Sequence, residues 1–195
     1  MLQNDTLEIV NEAKILGCLI TDDLKFHKNT QLMIRKAYAR MIILQRLYPF
    51  NIPTRDLIMI YVLYIKSHLE QNVAVWSSSI TQEDVSDIER VQKVALKIIL
   101  KGSYENYDQA LKATGLQYLS ERRSILCLRF AKKCLKNEKT SDMFPLNPNF
   151  DARLRYSEKY QVKFANNDRL KFSAIPSLQR MLNEEHKLKQ RASRT

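Results

Sequence analysis

Apolar residues recur every three or four positions along most of this chain, and that spacing limits what it can fold into. In the segment from Thr30 to Tyr48 they are Ile34, Ala37, Tyr38, Met41, Leu44 and Tyr48. This period places their side chains on one side of an α-helix, and Pro49 cannot continue the helix. The pattern predicts a mainly helical protein whose helices share an apolar core.

Two further helices carry signals at their ends. Thr54 is the predicted N-cap of a helix whose segment 57–69 is apolar nearly all round, which is typical of a core helix. Thr81 and Asp84 have the spacing of a capping box, and Gly102 is predicted to end the helix that follows them. The buried stripe of that helix is predicted at Val85, Ile88, Gln92, Ala95 and Ile99.

The next part of the chain is also predicted to be helical. A short helix is predicted over 107–114, where Gly115 ends it, and a longer helix over 120–137. The inward residues of the longer helix are predicted to be Ile125, Leu128, Ala131 and Leu135.

Strands are predicted at only two places. Residues 15–20 are apolar and bounded by polar residues, which favours one short strand. Prolines and asparagines predict an irregular stretch over 137–167, inside which 160–164 forms the other strand. A last helix is predicted to begin near Pro176.

The charge balance favours an anionic partner. The chain has 32 Lys and Arg against 21 Asp and Glu, which gives a formal net charge of +11. Such a positive surface attracts phosphate backbones or anionic membranes, although a solubilising excess of charge is the alternative. Composition therefore indicates a class of partner and no particular reaction.

Glycine and cysteine usage excludes several kinds of site. The chain has only three glycines, whereas a phosphate-binding loop or a Rossmann crossover needs several at close spacing. Its three cysteines are an odd number and imply no disulfide framework, and the dispersed histidines show no zinc-ligand spacing with them. Because no secretory leader or long apolar run occurs, we expect an intracellular protein, nuclear or cytoplasmic, that does not enter a membrane.

Basic residues line up along one side of each long helix. The helix that follows Thr81 carries Arg90, Lys93, Lys97 and Lys101. The helix predicted over 120–137 carries Arg122, Arg129, Lys133 and Lys136. The first helix carries Arg35 and Arg46, with Lys36 and Arg40 nearby. Such rows can follow a sugar-phosphate backbone without sequence preference, and the alternative is an ordinary solvated helix face. Tyr104, Tyr107 and Tyr118 flank the rows and are expected to pack with hydrogen-bonded hydroxyls rather than to stack on bases.

Asp22 and Asp23 directly follow an apolar run, which raises the question of a polymerase metal site. A two-metal site needs carboxylates that converge from at least two strands, and one dipeptide cannot supply them. We predict instead that the pair forms a turn and caps the next helix. No catalytic and no metal-binding residue is predicted.

The segments "AKILGCLITDDLKFHKN", "SHLEQNVAVW", "IERVQK" and "LSERRSILCLRFAKK" occur in this order along the chain. Together they resemble the C-terminal third of reverse transcriptases from non-LTR (LINE, jockey-like) retrotransposons. The resemblance covers 13–144, and "SAIPSLQRMLN" near the end is similar to that family's tail. Gln71 departs from the family, which commonly carries an aromatic residue there.

The resemblance implies specific roles. Lys14, Leu16 and Gly17 match the family's K-x-L-G element, the last hairpin of the palm, which grips the primer strand. The helices that follow would belong to the thumb, and the partners would be RNA and DNA, as a template–primer duplex bound without sequence preference. The catalytic palm with its Mg²⁺-binding aspartates would lie upstream of Met1, so no cofactor is expected in this chain, and that palm is a further candidate partner.

We therefore predict a mainly α protein in four segments. Residues 1–28 would be a palm remnant with a primer-grip-like strand and turn, 29–103 a helical thumb-like domain, 104–144 a basic helical extension, and 145–195 an irregular linker with a C-terminal helix and basic tail. The predicted function is duplex binding by a region that does not polymerise on its own. The alternative is a helical protein-interaction module, or a decayed retroelement reading frame with no retained activity.

Overall fold

The computed structural model describes residues 9–151, 153–154 and 157–192, in which a short β-hairpin precedes a set of helices. The strands are β1 (Glu12–Ile15) and β2 (Cys18–Thr21). The helices are α1 (His27–Leu47), α2 (Thr54–Ile60), α3 (Ser67–Glu70), α4 (Val73–Trp76), α5 (Gln82–Leu100), α6 (Tyr107–Thr114), α7 (Leu119–Leu135), α8 (Glu138–Ser141), α9 (Asp168–Lys171) and α10 (Ala174–Ala192). A mainly helical fold with a short N-terminal β element is therefore confirmed.

The single strand predicted over 15–20 is wrong, because the segment turns back on itself. Leu16 and Gly17 have φ angles of 48° and 84° and form a two-residue hairpin loop between β1 and β2. The loop is held against the segment after α3, where Asn72 Nδ2 donates to the Leu16 carbonyl oxygen at 2.9 Å. A Cβ atom at Gly17 would lie 2.6 Å from Nε2 of the flexible Gln71 side chain, which would have to shift, and the φ of 84° favours glycine at this position.

Asp22 and Asp23 form the predicted turn, but they do not cap the helix. The Asp23 carboxylate accepts hydrogen bonds from the Thr21 hydroxyl at 2.6 Å and from the Lys25 backbone N–H at 3.2 Å. The N-cap residue of α1 is Phe26, and no side chain caps this helix. The capping part of the prediction is therefore wrong.

The capping box of α5 is confirmed. The Thr81 hydroxyl accepts from the Asp84 backbone N–H at 3.1 Å, and the Asp84 carboxylate accepts from the Thr81 backbone N–H at 3.2 Å. At the other end Gly102 is the C′ residue, as predicted, and follows the C-cap residue Lys101, whose φ is 52° and ψ −127°. Gly115 ends α6 as predicted, with φ 66°.

The helix over 54–70 is continuous but contains a π-helical stretch, Tyr61–Lys66, between α2 and α3. Its N-cap is Pro53 rather than the predicted Thr54. One side is buried, as expected, through Leu57, Tyr61, Ile65 and Leu69. The opposite side is exposed at Met59, Leu63 and Tyr64, so this helix is not enclosed on all sides.

The buried face of α7 is rotated from the predicted one. The buried residues are Leu119, Arg123, Cys127, Ala131 and Cys134, whereas Ile125 is exposed. The predicted strand over 160–164 is also wrong, since a single antiparallel bridge between Leu146 and Tyr160 stands in its place. Pro176 lies in the first turn of α10, as predicted.

One hydrophobic cluster joins all four predicted segments. It includes Cys18 of β2, Leu44 of α1, Leu119 of α7 and Leu178 of α10. Trp76 of α4 lies inside the same cluster and is fully buried. All three cysteine thiols are free and buried. In the described part of the chain, no helix is both long and apolar enough to cross a membrane.

Two leucines test which helix faces form the core. Leu44 is 1% exposed and Leu63 is 68% exposed. We expect Leu44→Ala to lower the free energy of unfolding by about 2–5 kcal/mol, because the buried site cannot fully close around the lost atoms. Leu63→Ala should change it by less than about 0.5 kcal/mol. Urea unfolding followed by circular dichroism measures both, and equal losses would contradict this packing.

Candidate nucleic-acid interface

The predicted basic row on α5 lies on the solvent side of the helix. Arg90, Lys93, Lys97 and Lys101 are all exposed. The opposite side of α5 is buried through Ile88, Val91, Gln92, Ala95, Leu96 and Ile99. Because an α-helix rises 1.5 Å per residue, the row carries a lysine about every 6 Å from Lys93 onward.

Each of the three lysines in this row lies over a tyrosine ring. The distances from Nζ to the ring centroid are 5.0 Å for Lys93 and Tyr107, 5.5 Å for Lys97 and Tyr104, and 4.0 Å for Lys101 and Tyr48. Lys101 also donates to the Tyr48 carbonyl oxygen at 3.1 Å. Such cation–π contacts contribute about 0.5–1 kcal/mol at exposed sites and restrict where each ammonium group lies.

A buried polar network fixes the position of Tyr107. The Tyr107 hydroxyl donates to the Glu89 carboxylate and accepts from Gln92 Nε2 at 2.8 Å. Gln92 Oε1 in turn accepts from the Tyr61 hydroxyl at 2.8 Å. The Glu89 carboxylate also accepts from the Leu119 backbone N–H at 3.1 Å. The whole network therefore joins α5, α6, α7 and the π-helical stretch. The spacing of the sequence indicated that Gln92 is buried but gave no sign of its partners.

The tyrosines near this row pack against the protein. The Tyr118 hydroxyl donates to the Asp108 carboxylate, and its ring meets the Tyr107 ring edge-on at 5.4 Å. Both hydroxyls are hydrogen-bonded, as predicted, but only Tyr107 is partly buried; Tyr118 is 36% exposed, so buried packing is not confirmed for it. A ring that already carries Lys93 and meets Tyr118 has little surface left on which a base could stack.

Two of the predicted arginine contacts are held in ion pairs. Arg90 Nη1 lies 2.9 Å from Asp87 Oδ1 on the same helix. Arg122 Nε lies 3.1 Å from Glu70 Oε1, so the N-terminal cation of the α7 row contacts α3. Exposed ion pairs are weak, and the Arg90 side chain is 64% exposed, so a phosphate can replace its partner.

The rest of the α7 row is exposed. It consists of Arg129, Lys133 and Lys136, and none of them lies within ion-pair distance of a carboxylate in the described residues. Lys132, on a different side of α7, pairs with Glu185 of α10 instead. Lys132 therefore links α7 to α10, whereas Arg129, Lys133 and Lys136 stay available to a ligand.

The predicted contacts near the N-terminal end are spread over two elements. Lys14 is exposed on β1, and Leu16 and Gly17 form the hairpin loop. Arg35 is exposed on α1. Arg40 is only partly exposed, and its guanidinium group lies 4.5 Å from the centre of the Tyr64 ring and donates to the Tyr64 carbonyl oxygen at 3.4 Å.

Asp22 and Asp23 both use their carboxylates in local hydrogen bonds. Asp23 uses its carboxylate within the turn, and hydrogen bonding by Thr21 is the main reason that its pKa is lowered. The Asp22 carboxylate accepts the backbone N–H of Asp23 at 2.9 Å. Within 9–151, 153–154 and 157–192, no group of three or more His, Cys, Asp or Glu could hold a metal ion.

The network around Tyr107 makes the stability of the fold depend on pH in the alkaline range. Burial raises the pKa of Tyr107, and the hydrogen bond to Glu89 raises it further. Burial also raises the pKa of Tyr61. In the unfolded chain both phenols ionise near pH 10, whereas in the folded state they stay protonated to higher pH. The unfolded state then binds fewer protons, so stability is full below pH 10 and falls above it.

We therefore expect the free energy of unfolding to decrease by up to about 1.4 kcal/mol per pH unit for each of these tyrosines above pH 10. Tyr107→Phe should make this dependence less steep, because one of the linked protons is removed. Urea unfolding between pH 9 and 11 measures the slope, and absorbance of tyrosinate reports ionisation. A slope that Tyr107→Phe leaves unchanged would contradict the buried hydrogen bond.

Comparisons with known proteins give no relative for this interface. No protein family, no curated protein and no solved structure matches the chain.

Proposed function

We propose that this chain is a thumb-like region of a non-LTR retrotransposon reverse transcriptase that binds a template–primer duplex and does not polymerise on its own. The order of the segments over 13–144 supports the origin of the chain. The basic rows on α5 and α7 support the binding activity, since they place exposed cations along rigid helices.

The observation that carries the proposal is the row of lysines on tyrosine rings. Lys93, Lys97 and Lys101 span eight residues of chain, or about 12 Å along the helix axis. One strand of a B-form duplex has a phosphate about every 3.4 Å along its axis, so the row matches three or four phosphates. Because the rings already restrict the lysine side chains, less conformational entropy is lost on binding.

This arrangement favours binding without sequence preference. Lysine contacts to phosphates release counterions and contribute affinity on any sequence, whereas sequence is distinguished by contacts to base edges. Arg129, Lys133 and Lys136 form a second row that contributes in the same way. The proposed partner is therefore an RNA–DNA or DNA duplex recognised by its backbone.

A second candidate is a helical protein-interaction module. It is favoured by the apolar side chains on the exposed side of the helix over 54–70, namely Met59, Leu63 and Tyr64, and by the exposed Ile42 of α1. Exposed apolar surface of this kind is common where another protein binds. On this interpretation the lysines of α5 would be solvated and would not change the affinity for a duplex.

Neutralisation of the α5 row separates the two candidates. The test variant is K93Q/K97Q/K101Q, and the control is K112Q/K139Q/K163Q, whose lysines are also exposed and which removes the same charge. Fluorescence anisotropy with a labelled RNA–DNA hybrid, over a series of salt concentrations, gives the affinity and its salt dependence. Loss of three phosphate contacts should reduce the slope of log K against log salt by about 2–3.

The control variant should keep the wild-type slope to within about 1, since its lysines lie outside the rows. Equal salt dependence for the test and control variants would refute the duplex-binding proposal and leave the protein-interaction module. Circular dichroism melting of each variant checks that the fold is retained. We expect no Mg²⁺-dependent nucleotide incorporation by any of these proteins.

A further inference from the structure

We propose that the cavity between the β-hairpin and helices α1 and α3 binds a single phosphate-type oxyanion. Lys14 of β1, Lys36 of α1 and His68 of α3 line this cavity, and none of its lining residues is acidic. Asn29 and Gln71 add amide groups to the lining. The proposal does not rest on the lysines of α5; Lys14 and Gly17 of the cavity also belong to the primer-grip-like element, so the test uses inorganic phosphate rather than a duplex.

The strongest sign of a ligand is the side chain of Asn29. It is 4% exposed, and its Oδ1 accepts the Leu19 backbone N–H at 3.0 Å, which fixes the orientation of the amide. The amide nitrogen is left with the Met33 sulfur at 3.7 Å as its acceptor in the described residues. A thioether is a weak acceptor, and buried N–H donors otherwise find oxygen. An oxyanion in the cavity would supply the missing acceptor.

The charges around the cavity are positive and uncompensated. Lys14 and Lys36 are exposed, and in the part of the chain that the structure describes neither ammonium group lies within ion-pair distance of a carboxylate. Burial, Arg40 and Lys36 together lower the pKa of His68, so its ring is held toward the neutral form, in which one N–H can still donate to an anion. An anion placed among these groups reduces their mutual repulsion.

The walls of the cavity are formed before any ligand arrives. Gln71 lies against Gly17, and Asn72 Nδ2 holds the Leu16 carbonyl oxygen, so the hairpin loop is fixed on the end of α3. The cavity has a volume of about 130 Å³. Sites for drug-sized ligands occupy roughly 300–1,000 Å³, whereas a single water needs about 10–15 Å³. The space therefore suits one tetrahedral oxyanion and excludes a whole nucleotide.

The proposal is tested by titration of inorganic phosphate into the full ¹⁵N-labelled chain, at ionic strength held constant with chloride. We expect saturable shifts in the side-chain amide signals of Asn29 and Gln71 and in the ring signals of His68. Lys36→Gln should weaken phosphate binding by about tenfold, since a charge-assisted hydrogen bond is lost. Arg55→Gln removes the same charge from an exposed position on α2, outside the cavity, and should leave the affinity unchanged.

A second variant keeps the test valid if Lys36 is not the main contact. Asn29→Asp retains the acceptor for the Leu19 N–H, removes the donor and adds a negative charge, so phosphate binding should be lost. Because the new carboxylate is buried, circular dichroism melting checks that the variant is folded at the titration temperature. Shifts that do not saturate, or equal affinities for Lys36→Gln and Arg55→Gln together with retained binding by folded Asn29→Asp, would overturn the proposal.

Competition between inorganic phosphate and short oligonucleotides shows which kind of molecule supplies the phosphate group. If the cavity binds the end of a nucleic-acid strand, a short 5′-phosphorylated oligonucleotide should displace inorganic phosphate and the unphosphorylated one should not. If it binds free phosphate, neither oligonucleotide should compete. Failure of the duplex assay on the α5 variants leaves these results unaffected, so the two proposals are distinguished.

Discussion

The buried side chain of Gln92 is the point on which the arrangement of α5, α6 and α7 depends. It is fully buried, and its amide accepts one hydrogen bond from Tyr61 and donates two, to the Tyr107 hydroxyl and to the Gln117 carbonyl oxygen at 2.9 Å. A buried amide that lost one of these partners would destabilise the fold by about 1–3 kcal/mol. All three bonds are made in this placement of the neighbouring helices, so the network stabilises that placement.

The interface follows from this network together with the start of α5. The capping box at Thr81 and Asp84 fixes where α5 begins, and the buried face then determines which side its lysines occupy. The hydrogen bonds of Tyr107 hold its ring beneath Lys93, and the rings of Tyr104 and Tyr48 contact the next two lysines. The ring contacts restrict where the three ammonium groups lie, whereas lysines on an ordinary solvated helix face move freely.

The sequence predicted what depends on local chemistry. The helices, the capping box and the left-handed Gly115 follow from neighbours within four residues, and all are confirmed. The apolar pattern alone predicted one strand where the resemblance implied a hairpin, because Leu16 takes a positive φ, which its residue type does not favour, and Asn72 stabilises that loop from 56 positions away. The face of α7 was misjudged because Arg123, a charged residue, is buried there, 5% exposed. The lysine–tyrosine pairs also join distant segments, so their geometry required the fold.

The most direct test of the central claim is lysine reactivity in the presence of a duplex. Mass spectrometry after brief acetylation, with and without a saturating RNA–DNA hybrid, compares the exposed lysines of one molecule. Protection of Lys93, Lys97 and Lys101, with Lys112, Lys139 and Lys163 equally reactive in both states, is the predicted result. Protection spread evenly over all six lysines, or none on α5, would contradict a duplex seated on this row.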